Sequence, residues 1–308
     1  MKWLGKAAAL SCMAVSLLAF SGCGSQSGSS GKVVFSAHAD AVDFTGKLYE
    51  GVKAKAGAQG TEVEFLNANG DANMQIDQLN EAIAQKPAAI IILAVDGTAV
   101  IPAVEKANEA GIPVIATNRD LNGGKFAKVM SDERQAGKLQ GEYMARHLPP
   151  GAKIVYLMGE GSQSSAVQRW EGFKEACLDK RPDIQLLAKA DGSWSEAEGL
   201  KNMNLWLQVF PKIDAVVAGN DNMALGALKA LKAAGKNQGV LVSGVDAMDY
   251  AVAAVAAGEM AQTVKQDADK TVDAIGGLLQ SALSGNVPSD DVKIPFTEIT
   301  KDNVAQFK

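Results

Sequence analysis

Residues 89–120 read AIIILAVDGTAVIPAVEKANEAGIPVIATNRD, and this stretch decides the fold. Its first apolar run, 90–93, does not alternate with polar residues, as expected of a strand covered on both faces. Ile101, Val104 and Ala107 then fall three apart on one helical face, with Thr98 placed to cap the helix start. A second apolar run follows at 114–116. Parallel neighbours need such a crossover helix between them, so the stretch reads as one strand–helix–strand unit. It ends on Asn118, Arg119 and Asp120, just past a strand's carboxyl end, where open parallel sheets bind ligands.

The same alternation extends in both directions. Upstream, runs at 33–35 and 63–66 read as strands. A helix with Ile76, Leu79 and Ile83 on one face leads from the second of these into the run at 90–93. Downstream, a strand at 127–130 and a helix over 133–147 lead into a second series. Its strands lie at 154–157, 185–188, 215–217 and 240–242, with helices starting near Ser165, Ser195 and Asn222. A crossing strand at 261–264 and a helix over 269–284 follow. Two successive series of βαβ units predict an α/β protein of two doubly wound parallel-sheet lobes.

The chain opens MKWLGKAAALSCMAVSLLAFSGCGSQSGSSGK. Lys2 and Lys6, the apolar run 7–20 and the small pair Ser21-Gly22 describe a secretory signal. The apolar run is shorter than the roughly 20 residues a membrane span needs. Cys23 follows the small pair directly and resembles the acylated cysteine of a bacterial lipobox, although Phe20 stands where leucine is usual. Residues 1–22 are thus expected to be a lipoprotein signal, Cys23 the lipidation site and 23–31 a flexible Gly/Ser tether. Of the three cysteines, only Cys177 then remains as a thiol, which excludes an internal disulfide and any metal-type cysteine spacing. The formal charge of −5 falls to about −7 once Lys2 and Lys6 are removed. An acidic chain argues against a nucleic-acid partner, because phosphate binding needs a basic face.

Polar groups recur past the strand ends. Ser36, His38, Asp40, Asp43 and Phe44 follow the first strand. Asn118 and Arg119 follow the fourth, and Trp194 lies in the turn-like 191–195. Asn220, Asp221 and Asn222 follow 215–219, Asp246 follows 241–245, and Gln266 follows 262–265. Forked Asn, Asp and Arg groups engage adjacent hydroxyls, and an indole face stacks on a sugar's C–H face. Each residue also has a plainer reading. Asp221 and Asn222 suit helix capping, Arg119 suits a surface ion pair, and Trp194 suits the core. His38, Asp40 and Asp43 divide between binding and local capping.

Several segments together resemble a known family. Gly219-Asn220-Asp221-Asn222-Met223-Ala224-Leu225-Gly226-Ala227, Arg169-Trp170-Glu171-Gly172-Phe173, Ile112-Pro113-Val114-Ile115 leading to Asn118-Arg119, and Gly244-Val245-Asp246 are similar to the sugar-binding periplasmic proteins of the ribose, galactose and xylose type. That fold is shared with the lactose-repressor ligand domain. The resemblance implies a type I periplasmic binding fold, with three crossings joining a lobe of 32–131 and 266–294 to one of 132–265 and 295–308. It further implies ligand contacts from Asn118, Arg119, Arg169, Trp194, Asn220, Asp246 and Gln266. Its partners would be a monosaccharide or polyol, the permease of an ABC importer and, in some relatives, a chemoreceptor. A monomer, exported to the periplasm or outer cell surface, is expected, with no cofactor, no metal and no catalytic residue. One departure stands out: ribose-type proteins carry two phenylalanines after the first strand, where this chain has only Phe44 in a longer, more polar segment. Within the same fold, cyclitols, furanone signals and nucleosides are the alternative ligands. A repressor would need a helix-turn-helix where the export signal stands. An enzyme would need a nucleophile elbow or a phosphate loop, and neither is present.

Overall fold

The computed structural model describes residues 31–41 and 43–307. The leader, Cys23 and the tether up to residue 30 lie outside them. The first sheet is built from β1 (Lys32–Ala37), β2 (Glu62–Asn67), β3 (Ala89–Ile92), β4 (Val114–Thr117), β5 (Ala127–Ser131) and β11 (Asp291–Ile294), in the order β11-β5-β4-β3-β1-β2. All its pairings are parallel. The second comprises β6 (Lys153–Met158), β7 (Gln185–Asp191), β8 (Ala215–Ala218), β9 (Leu241–Val245), β10 (Gln262–Lys265) and β12 (Thr297–Thr300), in the order β12-β10-β9-β8-β6-β7. Only the β10–β12 pairing is antiparallel.

Helices cover both faces of each sheet, which explains the unbroken apolar strands. In β3, Ile91 packs with Leu48 of α1 (Asp43–Gly57) and Ile275 of α9 (Ala268–Leu283). Its neighbours Ile90 and Ile92 point the other way, onto Leu79 of α2 (Ala72–Ala84) and Val104 of α3 (Ile101–Glu109). In the second lobe, Val155 and Leu157 join Met203 of α6 (Glu196–Val209) and Leu228 of α7 (Asp221–Ala233). On that sheet's other face, Ile154 and Tyr156 join Met144 of α4 (Glu133–His147) and Phe173 of α5 (Ser164–Phe173). Gly137 on α4 and Gly172 on α5 let the two backbones touch, because a Cβ at either would overlap the other helix's main chain. Cys177 is buried in the second lobe, and burial pushes its thiol up to about 11.

The chain passes between the sheets three times: from β5 into α4, from β10 into α9, and from β11 into β12. Thr98 does not cap α3. The turn before α3 is held instead by the Asp96 carboxylate, which accepts from the backbone N–H of Thr98 at 2.7 Å and of Ala99 at 2.9 Å. The Thr98 hydroxyl accepts from Asn122. Among the described residues no helix is long and apolar enough to cross a membrane, and no group of side chains is arranged to hold a metal ion.

Candidate functional site

A cavity of about 370 Å³ lies between the two sheets, lined by the segments that follow their strands. Of the residues singled out in the sequence, His38, Asp40, Asp43, Phe44, Asn118, Arg119, Arg169, Trp194, Asn220, Asp246 and Gln266 all reach its lining. Ser36 does not. It is fully buried in β1, where its hydroxyl accepts from Gln75 Nε2 at 3.1 Å.

The first-lobe wall is lightly tied. Arg119 is buried and donates from Nη1 to the Ala94 carbonyl at 2.7 Å, which disposes of the surface ion-pair reading. Burial draws its guanidinium down to about 9, against the opposing pull of Glu160 and Glu133. His38 is pushed down to about 3 by burial first and by the Arg119 charge second, so its imidazole is neutral. Asn118 adopts a left-handed backbone at φ 62°, and its Oδ1 accepts from Gln266 Nε2. Asp40 is held at the rim by Asn67 Nδ2 at 2.5 Å. Asp43 reaches across the cleft, its Oδ2 accepting from Asn222 Nδ2 at 2.7 Å.

On the second lobe the site is densely braced. Arg169 is buried and makes three hydrogen bonds: Nε to Glu133 at 2.6 Å, Nη1 to the Gly219 carbonyl at 2.5 Å, and Nη2 to Gln266 Oε1 at 3.2 Å. Burial opposes its charge, but Glu133 and Asp246 outweigh that, so it titrates above the usual arginine value. Glu133 is itself raised by burial, against the pull of Arg169. Asp246 has φ 116°, and its carboxylate lies 3.8 Å from Arg169 Nη1. Burial lifts it to about 7 despite Arg169, with Glu133 and Asp43 acting in the same direction. Trp194, also left-handed at φ 57°, donates from Nε1 to Gln163 at 2.6 Å, and its ring lies 5.4 Å from the Arg169 guanidinium carbon. Gly159 makes room for the indole, since any Cβ there would overlap it.

The capping residue of α7 is Asn220, whose Oδ1 accepts from the Met223 N–H at 3.0 Å while its Nδ2 donates to the Trp194 carbonyl at 3.1 Å. Of the three successive Asx residues here, each with a capping reading in the sequence, Asn220 is the cap, while Asp221 and Asn222, the two the pattern favours, are not. Asp221 is wholly buried and braces the neighbouring segments through Thr263 Oγ1 at 2.8 Å and Met248 N–H at 2.9 Å. Asn222 lines the cavity, joining Asp43 to the Tyr250 hydroxyl.

Gln266 sits where β10 leaves the second sheet and ties both lobes together. Its Nε2 donates to Asn118 and, at 2.9 Å, to Ser131 Oγ, while its Oε1 accepts from Arg169. Several contributors lie beyond the residues singled out in the sequence, among them Asn69 and Glu160 in the lining, and Gln163 and Glu133 behind it. Asn69 follows β2 and Glu160 follows β6, so a fuller count of strand-end residues finds both. Glu133 carries no such signal, because an acidic residue opening a helix is ordinary.

The lining thus offers many fixed donors and acceptors and an aromatic face, while its one imidazole is held neutral. That chemistry orients a polar solute rather than transforming it. Residues 33–286 match the family model described as a periplasmic binding protein domain. The chain is similar to a xylitol-binding protein of Mycolicibacterium smegmatis, 34% identical over 267 residues that span 86% of this chain and 76% of that protein. It is 33% identical over 224 residues to a ribose import binding protein of Bacillus subtilis, spanning 72% of each. A solved ABC-transporter solute-binding protein of Bacillus halodurans with bound myo-inositol superposes with a TM-score of 0.84 at 32% identity, over 91% of this chain and 98% of that one. The chain belongs to the periplasmic binding protein family, a family of exported solute-binding proteins and not of enzymes.

Proposed function

We propose that this chain captures a monosaccharide or related polyol between its two lobes and delivers it to the permease of an ABC importer. The observation that carries this reading is the convergence of forked polar groups from both lobes around the Trp194 face. A polyol presents the matching surface, with hydroxyls at its edges and C–H groups on its faces. The names of the relatives support the same class, since xylitol, ribose and myo-inositol are all small neutral polyols. The ligand contacts would come from Asn118, Arg119, Arg169, Trp194, Asn220, Asp246 and Gln266, with His38, Asp40, Asp43 and Phe44 completing the first-lobe wall. The cavity volume lies within the range usual for small-molecule sites. Denaturing freshly purified protein and weighing the released small molecule tests the reading. A neutral polyol is expected, and an amino acid or nucleoside contradicts it.

Export by the leader and acylation at Cys23 would tether the receptor beside its permease. Expressing wild type and Cys23→Ser in a lipoprotein-processing host and fractionating the cells tests the anchor. Wild type is expected with membranes and the mutant free of them, whereas identical soluble partitioning counts against lipidation.

A further inference from the structure

Gln163 is the residue from which α5 starts, yet its side chain does not cap that helix. It is nonetheless buried, and its amide is committed at both ends to groups outside the helix. Its Oε1 accepts from the Trp194 indole Nε1 at 2.6 Å, and its Nε2 donates to Glu160 Oε2. Chemistry fixes the direction of this chain. An indole only donates and a carboxylate only accepts, so the amide must turn its oxygen to Trp194 and its nitrogen to Glu160. Helix capping asks for a short side chain such as serine or aspartate at this position, so local structure does not account for a glutamine there.

The backbone under the indole is held separately. Ser193 and Trp194 are successive left-handed residues at φ 47° and 57°, a conformation that is costly for residues with a side chain. The Asp191 carboxylate accepts from the Ser193 N–H at 2.8 Å, and Asn220 Nδ2 donates to the Trp194 carbonyl at 3.1 Å. These bonds leave the indole free to rotate about its own side-chain bonds, and the bond to Gln163 restrains that rotation. Trp194 and Glu160 line the cavity, and Gln163 stands behind them. The plane of the aromatic face is thus set from behind, by a side chain that does not meet the ligand.

A fixed plane suits one shape of ligand. A ring polyol carries a persistent C–H face that stacks on a held indole, whereas an open chain rotates about each C–C bond and must give up that freedom to stack. Resting on the polyol reading above, we propose that Gln163, oriented by Glu160, is the positioning residue for Trp194 and makes the cavity prefer a ring polyol to an open-chain one. Loosening the indole takes from the ring the advantage of a preset face and takes little from the open chain.

Two rings, D-ribose and myo-inositol, and two open chains, xylitol and ribitol, are titrated by calorimetry. Wild type is expected to bind one of the rings more tightly than either open chain. Gln163→Leu keeps the bulk but neither bond, and should weaken that ring about threefold or more and the open chains less than about twofold. Gln163→Glu alone sets two carboxylates against each other and should act in the same way. Combined with Glu160→Gln it rebuilds both bonds at the wild-type net charge, so the ring preference should return, which lost packing alone does not explain. In ¹⁵N-labelled protein the Trp194 indole N–H signal should move in Gln163→Leu and return in the double variant, with the buried Trp206 as the internal control. If an open chain binds as tightly as the better ring, if Gln163→Leu leaves the ratio unchanged, or if the double variant recovers nothing over Gln163→Glu, this inference falls while the polyol reading stands. If none of these polyols binds, the polyol reading falls and takes this inference with it.

Discussion

The two walls of the cavity are built on different principles. On the second lobe, Arg169 makes three hydrogen bonds, Asn220 spends both polar atoms on local structure, and Trp194 is pinned by Gln163. On the first, Arg119 has one hydrogen bond, and His38 Nδ1 has none. Bracing fixes side chains before the ligand arrives and lowers the entropy lost on binding. The second lobe therefore supplies a preset platform, and the first supplies groups that a ligand completes. At the hinge Gln266 is bonded into both, so the platform's geometry passes through it to Asn118 and Ser131.

If the platform is preset, the largest effect comes from removing its centre. Arg169→Ala leaves Glu133 buried and unpaired, which should cost about 3–5 kcal/mol of folding stability. Ligand binding should be lost as well. Denaturant unfolding and calorimetry read the two effects separately. A mutant with wild-type stability would mean that Glu133 does not depend on the pair.

Asp246→Ala should weaken binding by about 1–3 kcal/mol, because a ligand hydroxyl loses its buried acceptor. The same residue predicts a pH trend in the empty protein. Its folded value of about 7 lies above the 3.8 usual for aspartate, so the folded state holds the proton more tightly. The stability Asp246 contributes is complete below pH 3.8 and is lost as the pH rises through about 7. Thermal melts of ligand-free protein from acid to neutral pH should show this decline, and Asp246→Asn should flatten part of it. An equally steep decline in the mutant would assign the trend to Glu133 and Asp221, which burial also raises.

Smaller effects sharpen the contrast. Trp194→Ala should weaken binding by about 0.5–1.5 kcal/mol through lost ring contact, and calorimetry detects a loss of that size. Asn222→Ala removes the Asp43 contact across the cleft. Both groups meet solvent there, so about 0.5 kcal/mol is expected. The readout is a slightly larger radius of gyration in small-angle scattering of the empty protein. An effect on binding larger than that of Trp194→Ala would move the energetic centre to the rim.

Much of the fold is readable because it rests on local periodicity. The run 90–93 announces a strand covered on both faces, and Ile90 and Ile91 do pack into different cores. Strand-end residues such as Arg119 and Asp246 are readable for the same reason, since topology alone brings them to one cleft. What escapes depends on partners remote in sequence. Asn222 looks like a cap until Asp43, 179 residues away, is set against it. Glu133 looks like an ordinary first-turn acid until Arg169 is brought to 2.6 Å by the glycine-mediated contact of α4 and α5. Ser36 shares its segment with His38, but it still lies within β1, held by Gln75, whereas His38 lies past the strand's end.

The most direct test is calorimetric titration of the mature protein, stripped of ligand by unfolding and refolding, with D-ribose, xylitol, myo-inositol, an amino acid and a nucleoside. One of the polyols is expected to bind with a Kd of about 1 μM or tighter, roughly 8 kcal/mol, and the amino acid and nucleoside not at all. Binding of the nucleoside or the amino acid with no response to any polyol would contradict a polyol receptor.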